Sequence, residues 1–286
     1  MQILPANILV SIPFGYLKDE ACKVFVRINN DDWSGTRLIE WYGERLMGIE
    51  IKISHINEDM IQSLRNMRIR IIEEDDFLSA AGEKLPVLKE LRPIFLLSPN
   101  RHLLKKVNFL CGLGFPVHID ASAEYEEACA LDETAEFYLY NKLLTVSIEP
   151  FHSLIQTQIR GDGFTLWDTE YEKANYNFFV DEFERISLSP RWAASEIYFG
   201  RIENSWDKIV ESRAMQSLIS LKQNIFKKRN DCVFCAHFTI CHGYLRAIVP
   251  DWPCQKWQSA FDILATGTEN ARKLLSRFDQ EKKDLK

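Results

Sequence analysis

Through the first half of the chain, short runs with apolar and polar residues in alternation are separated by stretches of helical periodicity. Residues 22–28, 47–54 and 68–72 place apolar, mostly β-branched side chains at every second position and read as strands. Asn57 offers an N-cap to a helix over 58–66, and residues 75–81 predict another short helix. Residues 93–97 form an apolar strand, and Ser98-Pro99-Asn100 is a helix-start signal. The following helix, 101–111, carries an apolar stripe of Leu103, Leu104, Val107, Leu110 and Cys111, and Gly112 and Gly114 end it. With the next strand, 115–119, this makes a right-handed parallel βαβ unit. A helix over 123–138 and a strand over 144–148 extend the pattern. Such alternation predicts an α/β fold, a parallel partial (β/α) barrel with ligands at the C-terminal strand ends. A doubly wound sheet is the alternative.

The pattern changes near residue 160. Residues 177–180 and 185–188 flank Asp181-Glu-Phe-Glu184 as a hairpin would. A helix over 206–224 follows, with Ile209, Met215, Leu218, Ile219 and Leu221 on its apolar face. The expected division is a barrel-like part, 1–160, a smaller part, 161–266, and a charged tail, 267–286.

Composition narrows the function classes. The chain is 46% hydrophobic and 27% charged, with a net charge of −6 and a pI near 5.6. That balance excludes a polyanion-binding footprint, so nucleic acid is not an expected partner. The one dense basic stretch, residues 222–229, reads as a solvated helix end. No apolar run approaches the roughly 18 residues of a spanning helix. Residues 1–11 also lack the charged start and cleavage site of a signal peptide. No membrane association and a cytoplasmic location are expected.

Four of the seven cysteines fall between 232 and 254, which fits a reducing compartment and a metal site better than a disulfide framework. The segment Cys232-Val-Phe-Cys235-Ala-His-Phe-Thr-Ile-Cys241, closed by Cys254, has the spacing C-x2-C-x5-C-x12-C. Four thiolates saturate either a tetrahedral zinc or the irons of a [4Fe–4S] cubane, and spacing alone leaves both open. Trp252 and Trp257 flank Cys254 and would shield such a site from water. A second candidate site is the barrel mouth. His118 and Asp120 end one predicted strand, and Glu149 and His152 follow the next. They would either line a pocket suited to acid–base work or hydrogen-bond to loops. Gly161-Asp-Gly163 reads as a turn, because no P-loop lysine follows. Cys111 and Cys129 read as core residues.

These motifs resemble the radical SAM/SPASM-domain family of peptide-maturing enzymes. The hairpin at 178–189, the segment Phe199-Gly-Arg-Ile-Glu-Asn-Ser-Trp-Asp-Lys-Ile209, the block Cys232, Cys235, Cys241 with Gly243, and downstream Cys254 follow the SPASM order. Residues 109–119 resemble late βα units of a radical SAM barrel. Two departures matter. The family's C-x3-C-x2-C loop corresponds to Asn29-Asn-Asp-Asp-Trp-Ser-Gly-Thr36, which has no cysteine, and the glycine-rich methionine-binding segment is missing after the second strand. A second auxiliary cluster would need cysteines in the hairpin and just after the block, where Ser187, Ser189 and Leu245 stand. The resemblance therefore implies a degenerate member without its own S-adenosylmethionine cleavage. It would hold one [4Fe–4S] cluster on Cys232, Cys235, Cys241 and Cys254. It would act in ribosomal peptide (RiPP) maturation as partner of a radical SAM enzyme or as a precursor-peptide binder. The alternatives are an enzyme working at the barrel mouth and a zinc-stapled interaction module.

Overall fold

The structure, a computed structural model, describes residues 7–11, 23–28, 35–56, 58, 60–74, 77–123, 130–161, 163–173, 177–221, 225, 227, 230–249 and 251–284. The basic stretch 222–229, Cys22, Cys129 and the loop residues 29–34 lie wholly or largely outside them. Among the described residues the strands are β1 (Asn7–Ser11), β2 (Val24–Ile28), β3 (Leu46–Lys52), β4 (Arg68–Ile72), β5 (Ile94–Leu97), β6 (Val117–Ile119), β7 (Ile148–Glu149), β8 (Asn177–Val180), β9 (Arg185–Ser187) and β10 (Gly200–Arg201). The chain divides into two compact units, residues 1–97 with 171–233 and residues 98–170 with 234–286.

In the first unit β8, β1, β2, β3, β4 and β5 lie side by side and all parallel. β9 and then β10 add antiparallel strands beyond β8. From β1 to β5 the spatial order follows the chain order without reversal, so the sheet has no switch point of the doubly wound kind. The alternation read from sequence explains the two faces. Val24, Val26, Ile28, Ile49, Ile51, Ile71, Phe95 and Leu97 are fully buried on one face. Helices cover this face; Phe77 of helix Phe77–Glu83 meets Phe95 edge-on with ring centroids 5.4 Å apart. The intervening residues, including Phe25, Arg27, Glu50 and Arg70, occupy the other face. Gly48 belongs to that face because nothing larger fits: a Cβ there would lie 2.2 Å from the Arg68 carbonyl and 2.7 Å from the Phe25 ring.

Several elements differ from the sequence expectation. β1 was not predicted. A second short helix, Leu85–Leu91, follows Phe77–Glu83. Just before it, Lys84 Nζ donates to the carbonyls of Ile53, Ser54 and Ile56 and so satisfies the turn after β3. The helix expected over 206–224 is two helices, Trp206–Glu211 and Arg213–Ile219. Ser212 breaks it: its backbone is extended at ψ 144, and its hydroxyl accepts from Met215 N, capping the second helix. The hairpin forms as expected. Asp181 tightens its turn by accepting from the amides of Phe183 and Arg185.

In the second unit β6 and β7 pair in parallel, with Val117 opposite Ile148 and His118 opposite Glu149. Helix Leu103–Gly112 buries Leu103, Val107, Leu110 and Cys111, the stripe read from sequence less Leu104. The strand expected over 144–148 shrinks to β7, because Asn141 turns the preceding chain by accepting from Leu143 N. The unit is backed by one long helix, Gln255–Asp284, which includes most of the segment expected as a tail. It packs on helix Leu131–Tyr140, where Ser259 Oγ donates to Asp132 at 2.8 Å. Farther along, Gly267 allows close approach; a Cβ there would meet Leu139 Cδ1 at 2.6 Å.

Candidate metal centre

The four cysteines of the spaced segment are thiols rather than disulfides. Cys232 lies in the short helix Asn230–Val233, and Cys235 follows it by three residues. Cys241 ends the helix Phe238–Cys241, after which His242 and Gly243 turn the chain with φ of 47 and 77. Cys254 immediately precedes the long helix and is buried. Its Sγ donates to the Trp252 carbonyl at 3.5 Å.

The first turns of the long helix also reach Cys235. Gln258 Nε2 donates to Cys235 Sγ at 3.5 Å, and the Gln258 amide bonds back to the Cys254 carbonyl at 2.9 Å. The segment is pinned to the same helix by His237, whose Nε2 lies 3.0 Å from Asp262. Trp257, one turn beyond Cys254, is fully buried against Phe151 and Phe261. Its Nε1 has no hydrogen-bond partner among the described residues, an orphan donor of the kind a cluster sulfur would satisfy. Four thiols are a donor set that an iron–sulfur group would take. Among the described residues, however, no three or more His, Cys, Asp or Glu side chains are gathered into a metal-holding group.

The positions where the resemblance would put a second cluster carry ordinary structural work. Ser187 is fully buried and donates to the Ile197 carbonyl at 2.7 Å. Ser189 donates to Glu172 Oε1 at 2.7 Å. Leu245 is buried. Glu172, unnoticed in the sequence, is the hub of this region. Its carboxylate, 3% exposed, also accepts from Arg191 Nη2 at 3.0 Å and Trp192 Nε1 at 2.7 Å. β10 is only two residues long, and the amide of Arg201 is taken by Asn204 Oδ1 at 2.8 Å. That edge therefore offers little backbone for strand addition.

Each barrel-mouth residue has a protein partner, and His118 stands opposite Glu149 on the neighbouring strand. His118 Nε2 lies 3.1 Å from both oxygens of Glu170, and both side chains are buried. Asp120 closes its own turn by accepting from the amide and hydroxyl of Ser122. Glu149 accepts from Ser153 N at 3.2 Å. His152 lies between Tyr138 OH and Gln156 Nε2, at 2.7 Å from each. Burial, aided by Glu149, pushes the Tyr138 phenol up to about 12.

No family model and no curated protein matches the sequence. Among solved structures the chain resembles Streptococcus suis SuiB. One match, SuiB bound to S-adenosylmethionine, has a TM-score of 0.52 at 11% identity over 84% of this chain and 70% of that one. Another, SuiB bound to precursor peptide SuiA, has a TM-score of 0.50 at 12% identity over 84% and 72%. At this identity the likeness shows the fold alone, a mixed α/β architecture. No helix among the described residues is long and apolar enough to cross a membrane.

Proposed function

We propose that this chain is a degenerate radical SAM/SPASM-like protein of ribosomal peptide maturation. It binds one auxiliary [4Fe–4S] cluster through Cys232, Cys235, Cys241 and Cys254, and it works in the cytoplasm beside a radical SAM enzyme or as a holder of the precursor peptide. The observation that carries the reading is the joint fate of the two ligand sets on a SuiB-like fold. Ser187, Ser189 and Leu245 are absorbed into hydrogen bonds and core. The four cysteines remain thiols, with Gln258 bonded to Cys235 and the buried Trp257, three residues after Cys254, left with an unpaired indole donor among the described residues. Loading would draw the thiolates together.

Fully ligated, the cluster supplies electron transfer or cross-linking of the fold and has no open iron for a substrate. The chain's own part is to hold it. Cys254 sits at a helix start, Gln258 adds an N–H···S bond that stabilises the more negative state, and Trp257 keeps water away. The resemblance puts no cysteines in the catalytic loop, so the chain is expected not to cleave S-adenosylmethionine alone.

The test is elemental analysis of protein purified without oxygen. About four irons and four sulfides per chain with a brown visible spectrum are expected, and Cys235→Ala is expected to lose them. One zinc and no colour would replace the cluster by a structural staple. Unchanged metal content in Cys235→Ala would refute the site.

A further inference from the structure

We propose that the sheet face opposite the helices in the first unit is a binding site for a single carboxylate group, held by Arg27 and Arg70 and organised by Glu50. The three residues form one row across adjacent strands: Arg27 of β2 is opposite Glu50 of β3, and Glu50 is opposite Arg70 of β4. Glu50 is 2% exposed and takes both guanidinium groups. Arg27 donates to Oε2 through Nε at 2.9 Å and Nη2 at 2.6 Å, and Arg70 donates to Oε1 through Nη1 at 2.6 Å.

The arrangement is more than a staple requires. One arginine would neutralise Glu50, and taking further charge out of water is costly unless something compensates it. The second arginine leaves the row one positive charge in surplus. It also leaves donors over: among the described residues Arg27 Nη1 and Arg70 Nε and Nη2 have no acceptor. Both arginine side chains are partly open, at 24% and 20%. Their orientation is fixed in advance. Glu50 fixes Arg27 through two bonds and Arg70 through one, and Arg70 also stacks 5.1 Å from the Tyr171 ring centroid. Tyr171 holds that position with φ 57, an unfavourable conformation for a bulky residue. Strain of this kind concentrates at ligand clamps.

The ligand class follows from charge and shape. A carboxylate is planar, takes parallel N–H bonds from guanidinium groups, and as a monoanion cancels the surplus. A phosphate dianion would leave an excess negative charge at a half-buried place. The carboxylate would come from an acidic peptide side chain or a small organic acid. The inference uses no cysteine and stands whether or not the cluster forms.

The experiment uses the full chain with arginine side chains labelled for NMR. It is titrated at constant ionic strength with N-acetyl-glutamate amide, its isostere N-acetyl-glutamine amide, and inorganic phosphate. The glutamate probe is expected to shift the Arg27 and Arg70 Nε–H signals saturably, and the glutamine probe is not. Arg70→Gln should weaken the response about tenfold or more, since one charge-assisted contact is lost, while Arg27 keeps both bonds to Glu50. Should Arg70→Gln fail to fold, the wild-type titration decides alone. No saturable shift, an equal shift with the glutamine probe, or tighter binding of phosphate would each overturn the proposal.

Discussion

Glu172 offers the sharpest test of how this fold stands where the resemblance would put a second cluster. The buried carboxylate binds Ser189 Oγ, Arg191 Nη2 and Trp192 Nε1 at 2.7, 3.0 and 2.7 Å. It thereby ties the end of the hairpin and helix Pro190–Ala194 to the chain entering the last parallel strand. Glu172→Ala removes the acceptor from all three donors at once. Breaking a buried ion pair from one side costs about 3–5 kcal/mol. The Arg191 side chain is 18% exposed, so water recovers part of that, and the lower end applies. Glu172→Gln keeps an acceptor but loses the charge, and should cost roughly half as much.

For a chain of this size each kcal/mol lowers Tm by roughly 2–4 °C. The alanine variant should therefore melt about 6–12 °C below the parent. Trp192 is itself one of the bonded groups, so tryptophan fluorescence during thermal or guanidinium unfolding reads the affected region directly. A loss under about 1 kcal/mol in both variants would refute the idea that this carboxylate replaces what a cluster would otherwise hold together.

Two further outcomes are expected. Burial tends to raise the Glu74 carboxyl, but the Ser54 amide and hydroxyl, with Lys52 nearby, outweigh it and leave the pKa below the ordinary glutamate value. A depressed carboxylate contributes stability that is present above its unfolded pKa and is lost as pH falls through the folded one. Glu74→Gln should accordingly lower stability at neutral pH, leave it nearly unchanged at the acid extreme, and so flatten the acid limb of a stability–pH curve; an unaltered acid limb would count against the pairing. Burial pushes the Cys111 thiol up to about 12. Iodoacetamide at mildly alkaline pH followed by mass spectrometry should then modify the partly exposed Cys232, Cys235 and Cys241 in metal-free protein while sparing Cys111, and early alkylation of Cys111 would contradict its placement.

What the sequence conveyed and what it hid follow from the range of the interactions involved. Strands β2 to β5 were legible because alternation is local and each strand buries one face completely. β1 escaped because it is short and its three consecutive apolar residues, Ile8, Leu9 and Val10, show no alternation. The break at Ser212 was written locally, in a capping residue, but the apolar periodicity on both sides masked it. The cysteine block was visible by spacing, whereas Gln258 and Trp257 acquire meaning only when the long helix returns beside it. Glu50 shows the limit most clearly. Each of β2, β3 and β4 carries one charge between two β-branched residues, Val-Arg-Ile, Ile-Glu-Ile and Ile-Arg-Ile. Only the register turns those three local exceptions into one row.

The same contrast bears on how a cluster could be lost without losing the fold. Removing one ligand from a four-thiolate site leaves a partly ligated metal and three thiolates among protein atoms; removing the set lets ordinary residues take over. The hairpin follows the second course. Ser187 gives its hydroxyl to a backbone carbonyl, Ser189 gives its own to Glu172, and Leu245 joins the core. Each replacement satisfies or removes a polar group that a vanished ligand would have left exposed. In the segment from Cys232 to Cys254 the thiols make weak bonds: Cys235 Sγ accepts from Gln258 Nε2 and Cys254 Sγ donates to the Trp252 carbonyl, each at 3.5 Å. The buried Trp257 indole N–H has no acceptor among the described residues. An orphan buried donor costs about 1–3 kcal/mol, which an acceptor absent from the polypeptide would offset. The argument would fail if Trp257→Phe, which deletes that donor and keeps the ring, stabilised the metal-free chain and left metal binding and the visible spectrum of the loaded protein untouched.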